Sequence, residues 1–190
     1  SGQVIFNFFS ESTTNAMGAI LGNASLIRKI YVPKYLFVIS RIFSSFINLM
    51  ASFTALILVM VATRAELHWT VILVPIPLVL LVIFSMGIGL ILSAIAVKFR
   101  DIMHLYSVFI TALMYLTPII YPMSILPRWL SIVVRANPIT NILIMFRDVM
   151  LYGRLPSVEG IIIALVETTL ALCVGLYVFY KNQDQFILNI

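Results

Sequence analysis

The stretch TVILVPIPLVLLVIFSMGIGLILSAIAV, residues 70–97, decides the fold class of this chain. Its 28 residues carry no charge, and as an α-helix they would rise about 42 Å at about 1.5 Å per residue. A helix needs about 20 mostly apolar residues to cross the hydrocarbon core of a bilayer. The stretch therefore predicts a helix that spans a membrane.

The composition extends this prediction to all 190 residues. Hydrophobic residues make up 62% of the chain and charged residues 10%, and the mean hydropathy is +1.12. Soluble domains average about 45–50% apolar and about 25% charged residues, and disordered chains are poor in apolar residues. A water-soluble globule and a disordered chain are therefore both excluded, and we expect an integral membrane protein.

The formal net charge of +5 does not indicate a nucleic-acid partner. A nucleic-acid-binding protein carries its basic residues on a wide solvated face, whereas here they form short clusters between apolar runs. We therefore predict membrane lipid, and no nucleic acid, as a contact of this chain.

Four other segments are candidates for membrane helices. Residues 42–63 carry no charge, residues 102–126 contain one ionisable histidine, and residues 161–180 contain a single acid. A run over residues 4–21 is interrupted by the polar stretch SESTTN. The predicted fold is an all-α polytopic bundle with about five membrane helices, over residues 4–21, 36–63, 70–97, 102–126 and 161–180.

Basic residues assign the two sides of the membrane. One side collects seven Lys and Arg residues, including all four lysines, and the other side collects five arginines. Because Lys and Arg are enriched in cytoplasmic loops, we place the first side, and with it the C-terminus, in the cytoplasm. The seven are Arg28, Lys29, Lys34, Arg41, Lys98, Arg100 and Lys181; the five are Arg64, Arg128, Arg135, Arg147 and Arg154.

Residues 127–156 do not fit a simple span, because prolines divide them into apolar pieces that are too short to cross. Asn137 followed by Pro138 is typical of a helix start, with an N-cap and a proline at the first helical position. Apolar residues then recur at helical spacing, and Gly153 is placed to end the helix. We predict re-entrant or surface-lying helices here.

The sequence contains no motif of an enzyme active site. It has no GxxxxGK[ST] phosphate loop, no HExxH, no GxSxG, and no Cys/His cluster with metal-ligand spacing. We therefore predict no catalytic residue, no metal ligand and no cofactor in this chain.

Polar side chains inside the predicted spans form two stripes at helical spacing. A stripe of this kind is poorly solvated by lipid, so we expect both to point inward. Either they join helices to one another, as small and hydroxyl residues do in membranes, or they line a polar path. One stripe is Ser40, Ser44, Asn48 and Ser52; the other is His104, Ser107, Thr111 and Tyr115.

Five further residues inside the predicted spans have separate explanations. The small residues Ser85, Gly89 and Ser93 predict close helix packing. An acid at membrane depth is costly, by about 2.5–3.5 kcal/mol at a helix centre. We expect Glu167 to be a hydrated or partnered structural acid, and Glu11, in its more polar setting, to be the better candidate for a water-filled path.

Basic, apolar and aromatic residues alternate over residues 26–34. This mixture suits either anchoring at lipid headgroups or docking into the groove of a protein partner.

Four segments of the sequence also occur in a characteristic order. They are NASLIRKIYVP (23–33), VKFRD (97–101), YLTPIIYP (115–122), and NPIT (137–140) followed by FRD (146–148). Together they resemble the transmembrane permease subunits of ABC exporters for polysaccharides, which include O-antigen, teichoic acid and capsule exporters. The resemblance covers nearly the whole chain.

This resemblance implies a homodimer with two copies of a separate ATP-binding cassette ATPase. ATP and Mg are then bound by the partner ATPase, and a lipid-linked glycan passes between two copies of this chain in the bacterial cytoplasmic (inner) membrane. Residues 4–21 correspond to the second of the family's six membrane helices. The expectation is one permease domain over residues 1–190 that lacks the family's N-terminal interface helix and first membrane helix.

The resemblance also implies roles for particular residues. Within the coupling segment, residues 26–34, residues 26–33 match the cytoplasmic coupling helix that contacts the ATPase. Within the re-entrant region, residues 127–156, residues 137–153 match the external re-entrant helices. The coupling residues are Leu26, Ile27, Arg28, Lys29, Ile30, Tyr31, Val32 and Pro33. The external gate residues are Asn137, Pro138, Arg147 and Asp148. The candidate path residues, taken from the polar stripes and the first helix, are Glu11, Asn15, Ser44, Asn48, His104, Ser107, Thr111 and Tyr115.

Three alternatives remain at this point. A drug- or lipid-exporting permease of the same superfamily would have a similar sequence. A secondary transporter would couple to an ion gradient through acids such as Glu11 and Glu167. A structural membrane scaffold is disfavoured by the polar stripes.

Overall fold

A computed structural model gives an all-helical bundle, and the structure describes residues 2–29, 32–63, 68–119, 121, 127–183 and 186. No strand occurs in these residues, which agrees with the predicted all-α class. The helices are α1 (Gly2–Met17), α2 (Ala19–Gly22), α3 (Ala24–Ile27), α4 (Tyr35–Ala62), α5 (Pro75–Lys98), α6 (Ile102–Leu116), α7 (Arg128–Arg135), α8 (Pro138–Met150) and α9 (Val158–Asn182); a 3-10 turn, Trp69–Leu73, precedes α5.

Three helical segments within the described residues are long and apolar enough to cross a membrane: Tyr35–Ala62, Trp69–Lys98 and Val158–Asn182. A fourth candidate is the pair Trp129–Arg135 and Pro138–Met150, which is bent by 84° and forms either a broken span or a re-entrant loop. The membrane bundle is thus confirmed, while the number of long spans is smaller than the five predicted.

Helix α5 occupies the centre of the bundle and packs against α9, α1, α4 and α8. Its sequence is apolar on all sides, which suits a helix with neighbours all round. The predicted packing role of Ser85, Gly89 and Ser93 is confirmed, since all three are buried. A Cβ atom added at Gly89 would lie 2.8 Å from the Cβ of Ala16 on α1.

Helices α5 and α9 approach each other closely where they cross. A Cβ atom at Gly87 would lie 2.5 Å from the backbone carbonyl of Ala171, and one at Gly175 would lie 2.3 Å from the carbonyl oxygen of Gly87. Only glycine lets the two backbones come this close, as is common at membrane helix interfaces. This contact fixes α9 against the central helix.

Two predicted helices end or begin differently in the structure. The helix predicted over residues 102–126 stops at Leu116, so the prediction is wrong beyond that point. The physical reason is Pro118: a residue that precedes proline is driven to extended backbone, and Thr117 has φ −85° and ψ 132°. Residues 122–126 lie outside the described residues. The segment predicted as helix from residue 70 instead begins with the 3-10 turn, and α5 starts at Pro75.

The first predicted helix, residues 4–21, is divided in the structure. Helix α1 covers Gly2–Met17, and the short α2 follows after Gly18. The polar SESTTN stretch does not interrupt the helix, because the hydroxyls of Ser12 and Thr13 donate hydrogen bonds to the backbone carbonyl of Phe9, at 3.1 and 2.6 Å. Their hydrogen bonds are thus satisfied within the helix.

Candidate functional site

A polar cleft of about 560 Å³ lies between α1 and α6. Six of its nine lining residues are polar, five on α1 and one on α6, and the other three are apolar. The polar members are Asn7, Ser10, Glu11, Thr14, Asn15 and Thr111; the apolar members are Phe6, Ile110 and Met114.

The polar face of α1 is hydrogen-bonded to α4. Asn48 Nδ2 donates to Glu11 Oε1 at 2.7 Å, and Asn15 Nδ2 donates to the Oγ of the buried Ser45 at 3.2 Å. Glu11 and Asn48 are both exposed. The carboxylate is therefore held in place while its remaining lone pairs stay open to the surface.

All eight candidate path residues lie on the exposed surface of the chain. The structure brings Glu11, Asn15 and Thr111 together around the cleft and places Asn48 beside Glu11. The other α6 members lie on the exposed side of that helix, with Tyr115 exposed to 69%. The side chains thus point away from the interior of this single chain, so the expectation that they face inward does not hold within one copy.

Packing inside the chain explains Asn48, which is bonded to Glu11 of α1, but not the serines of its stripe. Ser40, Ser44 and Ser52 are exposed, and the Ser44 hydroxyl donates to the Ser40 carbonyl of its own helix at 3.0 Å. On α6, Ser107 and Thr111 likewise donate to carbonyls one turn back, at 2.7 and 2.9 Å. Each hydroxyl keeps its acceptor lone pairs for an external donor.

Sequence reasoning missed Asn7, Ser10 and Thr14 as members of the cleft. The signal was present, because Asn7, Glu11 and Thr14 follow steps of four and three residues, which share one helix face. Read as a composition alone, the polar run instead predicts an interruption of the helix.

At the predicted external end, α8 holds the loop that follows α6. Arg147 donates from its two terminal nitrogens to the carbonyls of Pro118 and Ile119, at 2.7 and 2.8 Å. Asn137 Nδ2 donates to Thr117 Oγ1 at 3.1 Å, while its Oδ1 accepts from Ile139 N at 3.1 Å. The predicted N-cap at Asn137 with Pro138 at the first helical position is therefore confirmed.

Two residues complete this end of the bundle. Tyr121 donates its hydroxyl to the Tyr115 carbonyl at 2.8 Å, and partial burial raises the pKa of this phenol above its usual value. Gly153 adopts φ +61°, the left-handed backbone that favours glycine. It lies three residues after α8 ends at Met150, in the turn that the sequence predicted.

The remaining gate residue, Asp148, contributes to a second cavity. This cavity of about 250 Å³ lies between α8 and the start of α9, and its polar lining includes Arg135, Asn141 and Glu159. The Asp148 carbonyl accepts a hydrogen bond from the Arg154 backbone at 2.9 Å.

Glu167 is partnered, as predicted. Asn141 Nδ2 on α8 lies 3.1 and 3.0 Å from its two carboxylate oxygens, and the side chain is half-buried. This contact joins α8 to α9.

The segment predicted as a coupling helix is helical only in part. Helix α3 ends at Ile27, which is buried, and Arg28 and Lys29 follow in an exposed turn. Leu26 is 42% exposed. Ile30 and Tyr31 lie outside the described residues. Val32 is half-buried, and Pro33 is exposed.

We expect the substitution Arg147→Met to destabilise the folded protein by about 1.5–3 kcal/mol, because it removes charge-assisted hydrogen bonds and leaves two carbonyls without a donor. Thermal unfolding in detergent measures the effect. Arg135→Met is the control, since Arg135 is an exposed arginine on the neighbouring α7. Equal midpoints for the two variants would show that Arg147 does not hold the loop.

The fold and the site together define a multi-pass membrane protein, with apolar spanning helices and a polar cleft open at the surface of one copy. Residues 2–151 match the ABC-2 type transporter family, and the chain belongs to that family. It is a transport subunit of an ABC transporter, which works with an ATPase partner, and it is not an enzyme.

Curated relatives carry a consistent description. The chain is 27% identical over 190 residues to the O-antigen export system permease protein RfbA of Klebsiella pneumoniae. The matching region covers 98% of this chain and 72% of that protein. A protein of the same name from Myxococcus xanthus is 24% identical over 181 residues, covering 94% of this chain and 70% of that protein.

Proposed function

We propose that this chain is the membrane subunit of an ATP-driven exporter that moves a lipid-linked polysaccharide across the bacterial cytoplasmic membrane. Two copies enclose the path, and two ATPase subunits, which bind ATP and Mg, contact the coupling segment on the cytoplasmic side, where the C-terminus also lies. The observation that carries the proposal is the polar cleft between α1 and α6, with the exposed polar stripes beside it.

The chemistry of this surface suits sugars. Amide, hydroxyl and carboxylate groups donate to and accept from hydroxyl groups, and the cleft presents Asn7, Asn15, Thr14 and Glu11. Tyr115 adds an exposed aromatic ring on α6. Export permeases named for O-antigen are similar to this chain over nearly its whole length, which supports a glycan over a drug as the cargo.

The proposed mechanism begins at the ATPase. Closure of the ATPase dimer on ATP moves the coupling segment, and the helices of each copy rock as rigid bodies. The stripes on α4 and α6 then line an open path between the copies. At the external end, Asn137 and Arg147 hold the loop after α6, so that this loop moves together with α8.

We expect Thr111→Leu combined with Tyr115→Leu to reduce export by about fivefold or more, because each lost hydrogen-bonding group is worth about 0.5–1.5 kcal/mol. Surface glycan measured per molecule of inserted permease reports the effect. Leu105→Met is the matched control, because Leu105 is 67% exposed on α6 but lies outside the polar stripe. Normal export by the double variant would remove these two residues from the path.

A further inference from the structure

Lys34 joins the end of the coupling segment to the end of α9. It is the residue immediately before α4, and its Nζ donates to the backbone carbonyl of Gln183, the first residue after α9. The two residues are 149 positions apart in the chain. A lysine in this place satisfies a carbonyl that a helix end leaves without a partner, and its charge complements the negative end of the helix dipole.

An aromatic pair strengthens the same contact. Lys34 Nζ lies 5.7 Å from the centroid of the Phe186 ring, within the range of a cation–π interaction. Phe186 is 1% exposed and packs edge-on against Phe179 of α9, with ring centroids 5.2 Å apart. Lys34 is therefore fixed to α9 both by a hydrogen bond and by a ring that is itself immobilised against that helix.

Helix α9 runs from this contact to the predicted external end. Its Gly175 packs backbone to backbone against Gly87 of the central helix, and its Glu167 accepts from Asn141 of α8. A displacement applied at the C-terminal end of α9 therefore meets tight contacts to the central helix and to the external helices. Packed helices transmit such displacements as rigid bodies.

We infer that Lys34 is a positioning residue that passes the movement of the coupling segment to α9. This inference rests on the proposed function, because it needs an ATPase that moves the segment. The contact makes α9 and the segment move together; without it, ATP is still bound and hydrolysed, but α9 no longer follows.

The test uses the full chain assembled with its ATPase in lipid nanodiscs. Cys173 is the only cysteine of these 190 residues and is exposed on α9. With any cysteine outside these residues replaced by serine, a nitroxide attached to Cys173 before assembly reports the movement of this helix. In the wild type, a non-hydrolysable ATP analogue should change the nitroxide spectrum. In Lys34→Gln, the change should fall by at least about fivefold, the lower range of measured coupling between sites, while ATP binding and hydrolysis persist.

Two further variants separate a positioning role from a merely structural one. Lys34→Arg keeps the charge and the donors, so it should restore the spectral change. Lys181→Gln is the matched control, because Lys181 lies at the same end of α9 but contacts Tyr177 of its own helix, 5.9 Å from the ring centroid. If Lys34→Gln does not fold, Phe186→Leu removes the ring under the cation and should weaken the response.

The outcomes distinguish this inference from the proposed function. A full spectral change in folded Lys34→Gln, a wild type whose α9 does not respond to the ATP analogue, or an equal loss in Lys181→Gln would overturn the role of Lys34. Failure of the wild-type chain to assemble with an ATPase would instead overturn the proposed function.

Discussion

Replacing Gly87 with valine is expected to prevent the bundle from folding. The substitution gains helix propensity over glycine, by less than about 1 kcal/mol. It also places a Cβ atom 2.5 Å from the Ala171 backbone, where no side chain can turn aside. Because backbone must shift along two central helices, we expect a cost above about 3 kcal/mol, the upper range for overpacking. The yield of folded, detergent-soluble protein measures it.

Gly22→Val is the control for this prediction. Gly22 ends α2, and a Cβ atom there would have no neighbour within 4 Å. This variant should fold with nearly wild-type yield. If Gly87→Val and Gly22→Val gave equal yields and equal unfolding midpoints, the close crossing of α5 and α9 would be wrong.

Reversing both charges in the turn after α3, with Arg28→Glu and Lys29→Glu, is expected to reduce export by about tenfold or more. Like charges brought together at an interface cost several kcal/mol, so a docking surface that is complementary to these residues would be repelled. Both residues are exposed, and the orientation of the inserted permease is checked, because the reversal removes two basic residues from the predicted cytoplasmic side. Export, ATP hydrolysis and co-purification of the ATPase are measured together.

A second charge reversal tests whether position or total charge matters. Lys98→Glu with Arg100→Glu makes the same change in net charge at the end of α5 and in the turn that follows it, where both residues are also exposed. This variant should retain more export than the first, provided that it inserts in the same orientation. Unchanged export after the reversal at Arg28 and Lys29 would remove the coupling role from this segment.

The membrane class and much of the re-entrant region were predictable from local sequence signals. A long uncharged run is visible without any partner, and the cap at Asn137 depends on residues only two positions apart. The structure also explains why two of the sequence motifs occur together. Asn137 of NPIT and Arg147 of FRD donate hydrogen bonds to the loop that YLTPIIYP forms after α6.

Contacts between distant segments were not predictable in the same way. Gly87 and Gly175 are ordinary glycines in apolar runs until the helices cross, and Lys34 looked like one more basic residue of a cytoplasmic turn. The end of α6 at Leu116 is a different case, because a local signal for it is present. Pro118 indicates a helix end, whereas the hydrophobic run that follows Pro118 favours a longer helix.

The polar face of α1 was partly predictable. Glu11 stood out because acids are rare at membrane depth, whereas its neighbours in the cleft became meaningful only once α6 was placed beside them. The partner of Glu11, Asn48, was already a candidate through its own stripe on α4.

The most direct test of the account is transport of a lipid-linked glycan in proteoliposomes that contain the full-length permease and its ATPase. We predict that the glycan crosses the bilayer only when ATP is supplied, and that no transport occurs when the phosphate-loop lysine of the ATPase is replaced. Transport that persists with the inactive ATPase and follows an ion gradient would contradict the account and favour a secondary transporter.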